Sequence, residues 1–175
     1  MSPFFPLFAK VITAATVAAC VAVPGWGQRR DKTTSDHLVL NLVPNRLKGF
    51  EQVADSKSST MKIGTLQYSM CEKKFERFGQ SIKVLLFDFK EAPIMYSQAM
   101  KTWGKMLPVE SDSVVARNVV IRECNGWETY HPKTKTSQMS LGICDRFFLN
   151  LTGERVELET LHDALAMFDL ENFPK

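Results

Sequence analysis

Histidine, cysteine and long apolar runs are scarce in this chain, and each shortage closes off a class of function. Only 3 His and 4 Cys occur among 175 residues. No Gly-x-Ser-x-Gly elbow, phosphate-cradling Gly-rich loop, His-Glu-x-x-His helix or EF-hand loop is found, so the chemistries those motifs carry have no bearer. Charge of one sign is lacking as well. With 22 Lys+Arg against 19 Asp+Glu, the net charge of +3 is small and scattered, and nucleic-acid binding loses its usual electrostatic footprint. The 9 Gly and 8 Pro exclude collagen-like and low-complexity classes. What is present is the balance of one globular domain, 45% apolar and 23% charged.

The first 27 residues hold no acid and one cation, Lys10, ahead of the uncharged run Val11 to Val23. A helix over that run would rise roughly 20 Å against a hydrocarbon core of ~30 Å, which suits the apolar stretch of a signal peptide better than a span. Pro24 and Gly25 end it, and Gly25 and Gly27 offer small side chains to a signal peptidase. We therefore expect residues 1–27 to be a leader, 28–36 a polar lead-in and 37–175 a single domain, in a protein exported to the periplasm or beyond. Two other readings stay open: Val17-Ala18-Ala19-Cys20 resembles a lipobox, with Cys20 lipidated and the protein membrane-bound only through that lipid, or the leader remains as an anchor.

Periodicity predicts an α+β fold. His37 to Val43 is open between edge strand and helical turn, and Asn45 to Ser59 reads as a loop whose Phe50 plugs into the core. Met61 to Met70 and Lys83 to Phe89 read as strands. Pro93 opens a helix with Tyr96, Ala99, Met100 and Trp103 on one stripe, stopped by Gly104 and Pro108. Four strands follow, joined by turns at Asn125-Gly126, at residues 131–135 and at Cys144-Asp145. The last helix buries Leu158, Leu161, Leu165 and Phe168. The expected order is ββαββββα, an antiparallel β-meander with two helices packed on it.

Export permits disulfides. Of Cys71, Cys124 and Cys144, the meander favours Cys124 with Cys144, two strand spacings apart at the same end of the sheet, and Cys71 with Cys124 as the second choice. A zinc set of Cys124, His131 and Cys144 has spacings of seven and thirteen, unlike paired short-loop ligands, so neither metal nor cofactor is expected. Nothing in the spacing brings His37, His131 or His162 to a cysteine, and His162 belongs on the solvated face of the last helix. Asp88 and Glu91 read as a strand-end charge and a helix N-terminal anion, or as a carboxylate pair. Lys73, Lys74 and Arg77 interleave with Phe75 and Phe78, a pattern equally met by solvated lysines over two core rings. Asn150-Leu151-Thr152 matches the glycosylation triplet at a strand end. Tyr96, Met100, Trp103, Met106 and Leu107 are candidates to line an apolar pocket between helix and sheet.

Tyr68, Phe78-Gly79-x-Ser81-Ile82-x-Val84 ending at Asp88, the Met-rich helix, Met139-x-Leu141, Arg146-Phe147-Phe148 to Gly153 and the closing Phe168-Asp169-Leu170 together resemble a group of small exported bacterial proteins of unknown function. The likeness covers the last two-thirds of the chain and implies an α+β fold without a transferable catalytic set. In that group the third meander turn tends to be Gly-rich, where this chain has Cys144-Asp145. A looser similarity to PsbP-like sheet-and-helix domains concerns fold alone.

The leading expectation is a non-catalytic binding domain that meets an envelope protein. The second is a carrier of a small apolar ligand, and the third a hydrolase or thiol enzyme.

Overall fold

The computed structural model describes residues 34–175; the expected leader, Cys20 and residues 28–33 of the lead-in lie outside the described residues. In chain order the elements are α1 (Thr34–Leu42), β1 (Glu51–Gln52), β2 (Lys57–Ile63), β3 (Leu66–Arg77), β4 (Gln80–Glu91), α2 (Pro93–Trp103), β5 (Val109–Glu110), β6 (Val115–Ile121), β7 (Cys124–His131), β8 (Thr136–Ile143), β9 (Phe147–Glu154) and α3 (Leu158–Leu165). All pairings are antiparallel, and the nine strands form one sheet ordered β1-β3-β4-β9-β8-β7-β6-β5, with β2 also on β3. The α+β class and the four-strand meander β6 to β9 are present. The element order differs from ββαββββα, because a third helix, α1, precedes the sheet and Met61 to Met70 is split by a reversal at Gly64-Thr65.

Side-chain alternation gives the sheet two faces of different character. Phe75 of β3, Ile82, Val84 and Leu86 of β4, Leu149 and Leu151 of β9, and Met139 and Leu141 of β8 share an inner face at 0–1% exposure. Val39 and Val43 from α1 and its exit, Leu161 and Leu165 of α3, and Phe168 cover that face. The apolar set of His37 to Val43 therefore resolves as a helix, beginning in the expected lead-in: Val39 and Val43, one helical turn apart, reach the core while Asn41, which a strand would put on the same face, is exposed. Phe50 is buried at 3%, in the core as expected.

The first meander turn is not at Asn125-Gly126. Ile121 pairs Cys124 across Arg122-Glu123, both with positive φ (47° and 66°), and Asn125-Gly126 lies within β7. Gly126 opposes Leu141, where a Cβ would meet the Ser140 carbonyl oxygen at 2.4 Å and Leu141 Cδ2 at 2.6 Å. Close packing on β8, not turn conformation, explains this glycine.

Two inner-face residues of β3 are chemically unusual. Lys73, 2% exposed, is not a solvated lysine: its Nζ donates to the Val43 carbonyl at 2.7 Å and to Asn45 Oδ1 at 2.8 Å, satisfying a carbonyl just past the end of α1. Burial lowers its pKa. Cys71 is fully buried, and burial pushes its thiol from an ordinary 9.0 up to about 11. The unfolded thiol ionises first as pH rises, so the stability that Cys71 contributes is whole below pH 9 and is lost toward pH 11. Two units correspond to about 2–3 kcal/mol. Urea unfolding of wild type and Cys71→Ala is expected to show the wild-type advantage shrinking by that order across the window.

Candidate functional site

At one end of the sheet, two tight turns and a helix enclose a cleft. The β6–β7 turn carries Glu123 and leads into Cys124; the β8–β9 turn carries Cys144 and Asp145, with φ of 52° and 50°. Pro93 at the first turn of α2 fixes the start of the helix, which then crosses over Gly142. A Cβ there would stand 2.6 Å from Tyr96 Oη and 2.7 Å from both Met100 Sδ and Cε, so glycine sets how closely α2 lies on β8. The cleft measures about 560 Å³ and is lined by Tyr96 and Met100, by Glu123 and Cys124, and by Cys144 and Asp145, among others. That volume falls in the range of small-ligand sites, ~300–1,000 Å³.

Its titratable groups are held neutral or left acidic. Burial, then the nearby Asp145, Cys124 and Cys144, raise the Tyr96 phenol to about 12. Burial, then Cys144 and Glu123, raise the Cys124 thiol. A nucleophile needs the opposite, a thiolate favoured by a cation or a base. Both acids are exposed at the rim, so the mouth is acidic over an aromatic and thioether wall.

The cleft opens onto the second, outer face of the sheet. Phe87 and Phe89 of β4 stack at 5.9 Å and 4°, Tyr68 of β3 lies 5.5 Å from Phe89, and Phe148 of β9 sits 6.0 Å from Phe87 and 4.9 Å from Trp103 of α2. Only Phe89, Ala92 and Tyr96 in this cluster are buried; Tyr68, Phe87, Met95, Met100, Trp103 and Phe148 are half-buried. The inner face is closed by two helices, whereas α2 covers the outer one only in part.

Of the expected pocket residues, Tyr96 and Met100 line the cleft, whereas Trp103 does not and instead packs on Phe148 at 4.9 Å. Met106 and Leu107 follow the end of α2, are 40% and 80% exposed, and do not line this cleft. Cys71, Cys124 and Cys144 are all free thiols. Three strands, β4, β9 and β8, stand between Cys71 and Cys124, a gap of roughly 19 Å that no disulfide bridges. His131 ends the strand that Cys124 begins, which sets these two residues some 20 Å or more apart at ~3.4 Å per residue.

Asp88 does not pair with Glu91. Buried at 2%, it receives both arms of Arg146 at 2.7 Å, while Glu91 is exposed. Phe78 is fully exposed at the tip of the β3–β4 turn, so Phe75 is the only core ring of that pair. Asn150 donates to Ser140 Oγ at 2.7 Å within the central strand β9, a poor place for a glycan. His162 is not simply solvated, since Nε2 lies 2.9 Å from Glu128 Oε2; Glu128, 1% exposed, also accepts from Arg117 at 2.6 Å. Neither that buried carboxylate nor the rim pair Glu123 and Asp145 carried a sequence signal, because each depends on register and on which residues turn.

No helix among the described residues is long and apolar enough to cross a membrane. Compared with family models, with curated proteins and with solved structures, the chain matches none.

Proposed function

We propose that this chain is a non-catalytic binding domain of the cell envelope or extracellular space, and that it takes a protein partner on the α2 side of its sheet. One observation carries the reading: the outer face holds a half-buried aromatic and methionine cluster, Tyr68, Phe87, Phe148, Trp103 and Met95, beside a cleft of about 560 Å³, while the opposite face is sealed. Contiguous apolar surface of this kind, rimmed by polar groups, marks interaction sites. Aromatic and methionine side chains are enriched at interface centres. The acidic rim of Glu123 and Asp145 favours a partner that presents a basic side chain beside an apolar one. The export setting is supported by the leader-like residues 1–27.

Capture from envelope extracts tests it. Trp103→Glu places a charge in the half-buried cluster, and Lys48→Glu alters the α3 side, where Lys48 pairs with exposed Asp163 at 3.1 Å. Wild type and Lys48→Glu should recover the same protein, and Trp103→Glu should lose at least tenfold, with unchanged circular dichroism. Equal recovery by all three overturns the assignment of the face. A co-purified small apolar molecule in native mass spectra, in place of a protein, would favour the carrier reading that the cleft volume also admits.

A further inference from the structure

We propose that Cys124 and Cys144 form a reversible dithiol–disulfide pair in the wall of the cleft. The chemistry stands on geometry alone; its consequence for a partner rests on the binding-face reading above. The β7–β8 register runs from His131↔Thr136 to Gly126↔Leu141, and its extension sets Cys124 opposite Ile143, the last residue of β8. Cys144 is the next residue. One strand spacing of ~4.8 Å and one residue's rise of ~3.3 Å place the two α-carbons roughly 6 Å apart, inside the ~7 Å reach of a disulfide. Counting two strand spacings between them follows only if the turn is at Asn125-Gly126; the turn at Arg122-Glu123 removes one.

The side chains also converge. Cys124 packs against the inner-face core. A φ of 52° takes Cys144 out of strand alternation, and its Sγ lies 3.7 Å from the carbonyl oxygen of Phe173, whose ring packs edge-on against Phe147 of the same core at 5.2 Å. Both residues border the one cleft.

Unequal exposure divides the roles. Cys144 is exposed and Cys124 half-buried, with the Cys124 thiol held protonated by burial and by its neighbour, so Cys144 reacts first. With a low-molecular-weight disulfide of the glutathione type as oxidant, the Cys144 thiolate attacks one sulfur. A mixed disulfide forms and the first glutathione leaves as thiolate. The Cys124 thiolate then attacks Cys144 Sγ, the intramolecular bond forms and the second glutathione leaves. The two thiol protons of the protein end on the two released thiols; the protein is oxidised by two electrons and the reagent reduced by two. Closure takes Cys144 Sγ off the Phe173 carbonyl and joins the strand after the β6–β7 turn to the β8–β9 turn, so the reduced and oxidised proteins present different clefts.

The test treats the full chain with mixtures of reduced and oxidised glutathione, followed by non-reducing peptide mapping. Expected is a linked peptide containing Cys124 and Cys144, two hydrogens lighter and reversed by dithiothreitol. Cys124→Ser should stop at a glutathione adduct on Cys144, and Cys144→Ser should leave Cys124 unmodified. A persistent adduct on wild-type Cys144, or Cys144 joined between two chains, overturns the pair. Partner capture is read separately on each redox form: at least a threefold difference supports redox control of the face, whereas equal capture with the bond formed removes that control and leaves the pair standing.

Discussion

Replacing Asp88 by alanine is expected to cost about 3–5 kcal/mol of stability, the range for removing one partner of a buried ion pair. Asp88 is 2% and Arg146 11% exposed at the side chain, and the carboxylate takes two guanidinium bonds of 2.7 Å and the Lys90 amide at 2.9 Å. The cost arises because the Arg146 cation stays behind, desolvated, with only the Lys175 carbonyl at 3.4 Å as a further acceptor. The double variant Asp88→Leu with Arg146→Met removes the stranded charge and should recover more than half of the loss. Urea unfolding of wild type, Asp88→Leu, Arg146→Met and their double variant closes a double-mutant cycle for the coupling, and Asp88→Ala measured beside them gives the loss. Additive effects would show that the pair contributes no coupling and that packing of Arg146 over Phe147, 4.5 Å from guanidinium to ring centre, accounts for its place.

Gly126→Ala is expected to cost about 3 kcal/mol, at the upper end for overpacking a well-filled site. The added Cβ meets a backbone oxygen at 2.4 Å, and a backbone group inside a paired ladder cannot swing aside as a side chain does. Amide exchange should accelerate along β7 and β8 together. Asn125→Ala, at an exposed position, should stay within about 0.5 kcal/mol. If Asn125 were the first central residue of a positive-φ turn, its replacement would cost as much as that of Gly126, so the ratio of the two effects discriminates between the placements.

These two positions show where the sequence is readable. Alternation in Lys83 to Phe89 and in Gln138 to Ile143, and the stripe Leu158, Leu161, Leu165, are local signals, and the corresponding strands and helix stand where they point. Asn-Gly is a local turn signal too, yet register with β8 overrides it, because tertiary packing needs Gly126 without a side chain and Arg122 and Glu123 take on the positive φ instead. The cleft was half legible: Tyr96 and Met100 follow from helical spacing and the meander sets Cys124 near Cys144, though across a misplaced turn, whereas Glu123 and Asp145 follow only from the actual turn positions. The side-chain partners of Asp88 and Glu128 and the carbonyl that Lys73 satisfies were hidden for the same reason, since they lie 11 to 58 residues away in the chain.

The sheet is not finished on its β6 side. β5 pairs with Val115 and Ala116 alone, so from Arg117 to Ile121 the outer backbone groups of β6 meet no strand among the described residues, and Val120 is 70% exposed there. Such a margin offers a ready template to any extended peptide, another copy included. Arg117, with its guanidinium committed to Glu128, and Asn118 are the polar residues along it. Asn118→Val would leave residues 118–121 of this hem wholly apolar and is expected to make concentrated protein self-associate there, whereas Arg117 is held in place by the buried Glu128.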